Sequence, residues 1–269
     1  WTPGCNTEPF DTLRNGCHAA CETTWYADLA AKPAFVEEAG SMGPGIVSEA
    51  RAAASMRTAL FSCWAAGIKS YMWWCAFDQN KLKFAPYDWA AIERELGVFK
   101  ADGTPKPQAR EMKKFRDFLD SLPFKALPPR RIDATVIVSE QEHAWRTSLG
   151  AWLLAKQAGF DVRYTLAESP LPDAPFYILP SGRTYNAYLG STWDDLREKV
   201  KAGATALVTL GEGTVLSDLA ETAGIEVENH WEAPCTLNVD CGADSFAFTE
   251  PYTRELSLKG ASVLLKTRD

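Results

Sequence analysis

The chain has 269 residues, with 46% hydrophobic and 23% charged side chains and a formal net charge of −7. That composition is ordinary for a globular protein with enough material for two cores, and its acidic balance excludes the basic footprint of a nucleic-acid or anionic-membrane binder. No apolar run approaches the roughly 20 residues needed to span a bilayer. The seven cysteines are scattered. Cys17 and Cys21 can share a helix face but have no second pair nearby for zinc, and His18, His143 and His230 lack ligand-spaced partners. The expectation is no metal, and reduced thiols in a cytoplasmic protein.

In chain order, residues 1–31 read as a Pro/Gly-punctuated loop and then a helix around His18–Leu29. Ala34–Glu37 reads as a buried-type strand that delivers Glu37 and Glu38 just before Gly40. Ser48 caps a helix, with Glu49 in its first turn and Gly67 beyond its end. Ile68–Trp74 is a continuous apolar strand, as buried parallel strands are. Ala109, Met112, Phe115, Phe118, Leu119 and Leu122 recur at helical spacing. Three prolines within residues 123–131 then end the pattern and make a linker.

Beyond the linker, strands at Ala134–Val138, Val162–Tyr164, Phe176–Leu179 and Ala204–Thr209 alternate with helices at Arg146–Ala158, Trp193–Ala202 and Ser217–Ala223. That alternation implies a small doubly wound sheet. From Ile225 onward the signals are short and strand-like, at Thr236–Val239, Phe246–Phe248 and Ser262–Leu265.

A carboxylate at a strand end is how an α/β barrel equips its rim, and glycoside hydrolysis needs two carboxyl groups. Val36-Glu-Glu-Ala-Gly40 resembles the seventh-strand motif of clan A glycoside hydrolases. Tyr71-Met-Trp-Trp-Cys-Ala-Phe-Asp78 is similar to their eighth strand, which carries an aromatic under the reacting sugar. Phe99-Lys-Ala-Asp-Gly-Thr-Pro-Lys-Pro107 is similar to the stretch leading into their last barrel helix. Residues 132–228 resemble the flavodoxin-like trimerisation domain of family 42 β-galactosidases, itself related to glutamine amidotransferases. Where those amidotransferases carry a nucleophilic Cys, Leu210-Gly-Glu-Gly-Thr214 has none. Ser139-Glu-Gln-Glu-His143 carries carboxylates that would repel a flavin phosphate.

The resemblance implies an α/β chain in four parts. Residues 1–122 are the C-terminal portion of a (β/α)8 barrel with strands seven and eight, and 123–131 are the linker. Residues 132–228 form a non-catalytic flavodoxin-like domain, and 229–269 a short β-rich tail. It further implies part of a retaining β-glycosidase, with Glu38 as nucleophile and the acid/base outside the chain. Alternation lets one of Glu37 and Glu38 face the site, and the motif register selects Glu38. Asn6-Thr-Glu8-Pro9 imitates an acid/base motif, but too few residues separate it from Glu38 for the intervening strands. One of Trp73 and Trp74 is a sugar platform, with Trp73 favoured, and Asp78 and Gln79 are placed to hydrogen-bond sugar hydroxyls. No cofactor is implied. The expected partners are a carbohydrate substrate and either further copies of the chain or the missing N-terminal part of the barrel. The alternative is a catalytically incomplete carbohydrate-binding or assembly module.

Overall fold

A computed structural model describes residues 12–40, 42–140, 144–180, 188–211 and 215–264. Cys5, Glu8, His143, Leu265 and residues 212–214 therefore lie outside the described residues. The chain forms two compact units, Trp1–Ala134 with Ser148–Tyr164, and Thr135–Thr147 with Thr165–Asp269.

In the first unit, helix α1 (Leu13–Ala30) starts at Thr12, whose hydroxyl accepts the Asn15 N–H at 3.4 Å. Helix α2 (Glu49–Ala65) is capped in the same way by Ser48. These caps satisfy N–H groups that the first turn of a helix leaves without partners. α1 and α2 cross closely at Gly16, where an added Cβ would lie 2.5 Å from the Thr58 methyl. Between and after them run two parallel strands, β1 (Val36–Gly40) and β2 (Tyr71–Trp74), followed by helix α3 (Pro107–Ser121). Met56, Leu60 and Val98 form the core of this layer, with Tyr71, Trp73, Phe99, Met112 and Phe115 packed around them.

Both strands of this unit are bounded differently from the sequence expectation. β2 starts at Tyr71, not Ile68, because the Gly67 and Ile68 N–H groups close the end of α2 on the Trp64 and Cys63 carbonyls. β1 starts two residues later than expected and ends three residues further on, so Glu37 and Glu38 lie within the strand.

The far end of α1 is tied to the linker and to residues beyond it. Asp28 accepts both Oδ bonds from Arg130, at 2.8 and 2.9 Å, and a third bond from the Tyr164 N–H at 3.0 Å. The Tyr164 hydroxyl lies 3.1 Å from the Cys21 sulfur and donates to the Ser148 carbonyl at 3.0 Å. A buried polar group needs such partners to be tolerated.

The second half builds a four-stranded sheet from β3 (Ala134–Val138), β4 (Val162–Leu166), β5 (Phe176–Leu179) and β6 (Thr205–Val208), in the order β4-β3-β5-β6. β3 pairs with β5, and β5 with β6, in parallel. Helix α4 (Ala144–Gln157) follows β3, α5 (Gly190–Lys201) precedes β6, and α6 (Leu219–Ala223) follows it. Ile137, Tyr177, Leu179, Trp193 and Leu196 fill the core of the second unit.

The expected short terminal strands are instead one long antiparallel hairpin, β7 (Ile225–Cys241) and β8 (Asp244–Leu258). Its pairing shifts between Glu232 and Cys235, the stretch that holds Pro234. A proline cannot donate to a ladder, which is why the pattern reads as broken in the sequence. Ser262–Leu264 carry no strand.

Candidate active site

The parallel register pairs Val36 with Tyr71, Ala39 with Trp73 and Gly40 with Trp74. Two residues, Glu37 and Glu38, therefore stand opposite Met72 alone, and all three are exposed. This is a β-bulge. Counting back from buried Ala39 puts Glu38 on the face opposite the helices, and counting forward from buried Val36 puts Glu37 there too. Strict alternation, which would turn one of the carboxylates away, does not apply. Trp74, two residues on from exposed Met72 and one from Trp73, lies on the same open face.

The structure corrects the choice of tryptophan. The Trp73 ring packs in the helix-side core, and its Nε1–H donates to the Leu96 carbonyl at 2.9 Å. It also occupies the space a side chain would take at Gly40, where an added Cβ would come within 2.1 Å of the ring. Gly40 has φ +92°, a conformation only glycine adopts without strain, so the strand and the ring fit each other. Trp73 is thus partly buried and engaged in packing. Trp74 remains 37% exposed and donates from Nε1 to Glu93 Oε2 at 3.2 Å.

Asp78 and Gln79 are corrected as well. Asp78 is buried, accepts from the Lys106 Nζ at 2.5 Å and from the Gly97 N–H at 3.0 Å. The Lys106 ammonium also donates to the Glu95 carbonyl at 3.0 Å. An ion pair this enclosed ties the loop after β2 to the start of α3. Gln79 donates its backbone N–H to the Arg94 carbonyl and turns its amide toward the Cys75 sulfur, with Oε1 buried. Both residues are engaged in contacts within the loop after β2 and with residues 94–106.

The same contacts explain the Asp102–Pro107 motif. The Asp102 carboxylate accepts the Thr104 N–H at 2.9 Å, which lowers its pKa, and Gly103 takes φ +85° to close the turn. Pro107 opens α3 at a position where a missing N–H costs nothing. Lys106 then sits at a helix N-terminus, where a cation is disfavoured. That misplaced charge is the sequence signal for a buried partner, which the structure shows to be Asp78.

Among the described residues no cluster of three or more His, Cys, Asp or Glu could hold a metal ion, and no helix is long and apolar enough to cross a membrane. Burial pushes the Cys21 and Cys63 thiols up to about 12.

No protein-family model matches the sequence, and no curated protein is significantly similar to it. Solved structures do match. The exo-β-1,4-mannosidase Op5Man5 from Opitutaceae bacterium strain TAV5 aligns over 97% of this chain and 48% of its own, with 18% identity and a TM-score of 0.73. A β-galactosidase from the Antarctic haloarchaeon Halorubrum lacusprofundi aligns over 98% of this chain and 42% of its own, at 12% identity and a TM-score of 0.70. The GH42 β-galactosidase Gan42B aligns over the same shares, at 14% identity and a TM-score of 0.68. The chain thus spans under half the length of each of these structures. At these identities the likeness is one of fold: the chain has a glycoside hydrolase clan A-like, α/β fold with parallel sheets.

Proposed function

We propose that this chain forms part of a retaining β-glycosidase that hydrolyses O-glycosidic bonds of β-linked sugars, with Glu38 as the nucleophile. The observation that carries this is a pair of carboxylates, Glu37 and Glu38, exposed on the open face of β1–β2 on the side that also carries Trp74, and the motif register, two residues before Gly40, favours Glu38 of the two. The fold likeness to a β-mannosidase and to β-galactosidases supports it.

In this reading β1 and β2 are the seventh and eighth strands of the barrel, within residues 1–122. Residues 123–131 are a linker and 132–228 a flavodoxin-like domain without chemistry of its own. The strand order β4-β3-β5-β6, with the first strand of the set inside the second, is compatible with such a winding and supports this part of the reading. Residues 229–269 form the terminal β segment.

Glu38 attacks the anomeric carbon and forms a glycosyl ester, while a second carboxylic acid protonates the departing oxygen. Water, deprotonated by that same group, then releases the sugar and restores Glu38. Retention places the two carboxyl groups about 5–5.5 Å apart. We assign the second to none of the residues 1–269. Trp74 supplies an apolar floor on which a sugar ring stacks.

In the full-length protein, Glu38→Ala is expected to lower kcat on aryl β-glycosides on the order of 10³-fold or more, with the fold retained. A variant that keeps parental turnover removes the assignment.

A further inference from the structure

Glu93 lies on a short 3-10 turn, Ala91–Glu95, and its Oε2 accepts the Trp74 indole N–H at 3.2 Å. The residues that follow it are tied to β2 and the loop beyond. The Arg94 carbonyl accepts the Gln79 N–H at 2.9 Å, and the Arg94 Nη2 donates to the Asn80 carbonyl at 2.8 Å. Lys106 holds the Glu95 carbonyl at 3.0 Å. The Leu96 carbonyl accepts both the Cys75 N–H at 3.3 Å and the Trp73 indole at 2.9 Å. The backbone beside Glu93 is thereby fixed to the strand that bears Trp74.

The two neighbouring tryptophans are held by different means. Trp73 is wedged against Gly40 and bonded to a main-chain carbonyl, so packing and that bond set its ring without a side-chain acceptor. Trp74 has an exposed ring and a donor-only N–H, and a half-buried side chain accepts that proton. A carboxylate makes a stronger acceptor than a neutral group.

We propose that Glu93 is a positioning residue that fixes the Trp74 ring in the orientation a sugar stacks on. This rests on the reading of Trp74 as the platform of the proposed glycosidase site. A ring held before the ligand arrives loses less freedom on binding, so the effect falls on KM rather than on kcat.

The test uses the full-length protein and the variants Glu93→Ala, Glu93→Gln, Trp74→Ala and the Glu93→Ala/Trp74→Ala pair. KM and kcat are measured on aryl β-mannoside and aryl β-galactoside, and a crystal structure of Glu93→Ala gives the ring rotamer. The expected result is a KM raised about fivefold in Glu93→Ala and near parental in Glu93→Gln, whose amide oxygen still accepts. The pair should be no worse than Trp74→Ala alone, and the ring should leave its rotamer in Glu93→Ala. An unchanged rotamer, or additive losses in the pair, overturns the proposal. Where Trp74→Ala raises KM and Glu93→Ala does not, only the role of Glu93 falls. Where Trp74→Ala leaves KM untouched, the platform reading falls and takes this role with it.

Discussion

Gly40 sets both the end of β1 and the seat of the Trp73 ring. Its φ of +92° and the 2.1 Å approach of the ring leave no room for a methyl group. Gly40→Ala is expected to destabilise the fold by about 3 kcal/mol, combining a strained backbone with overpacking. A thermal melt within a degree of the parent would contradict that. At this scale the sequence placed Glu37 and Glu38 at the end of a strand, and both are exposed there. It was not readable for Trp73 and Trp74. Alternation says that two adjacent tryptophans face opposite ways, but only the register with β1 says which way each faces. Nor could it show that Asp78 is buried against a lysine far along the chain.

At the scale of elements, the turn from Asp102 to Pro107 and the loop after β2 form one unit through Lys106 and Asp78. Lys106→Met leaves the Asp78 carboxylate enclosed without its cation and is expected to cost about 3–5 kcal/mol. Chemical denaturation of the variant checks this, and a loss under about 1 kcal/mol would mean that the pair is solvated in solution. The packing of α1 on α2 makes a separate prediction. With the Cys21 and Cys63 thiols pushed up to about 12, only about one in 10⁴ is thiolate at pH 8, so neither reacts with a thiol reagent until the fold opens. Exposed Cys241 should react at once. Because these thiols ionise more easily in the unfolded chain, stability is full below about pH 9 and falls as the pH rises toward 12. Fast labelling of Cys21 in the folded state would refute this packing. Helices and buried strands were legible from periodicity and caps. The β1 bulge was not, since an extra residue in a five-residue strand leaves no periodic trace. The β7–β8 hairpin was obscured by Pro234 and Pro251, which interrupt the pattern without ending the strands.

For the whole molecule, the alternation of strands and helices was enough to place an α/β fold, and the likeness to solved glycosidases agrees with that placement over nearly the full chain. Those structures are more than twice as long as the aligned part. The account therefore stands on one claim, that Glu38 is the atom donor to the anomeric carbon in the whole enzyme. Incubating the full-length protein with 2-fluoro β-glycosides of mannose and galactose should trap the glycosyl ester, and peptide mapping then finds its site. The account predicts the label on Glu38. A label on Glu37, or on any other residue, would contradict it.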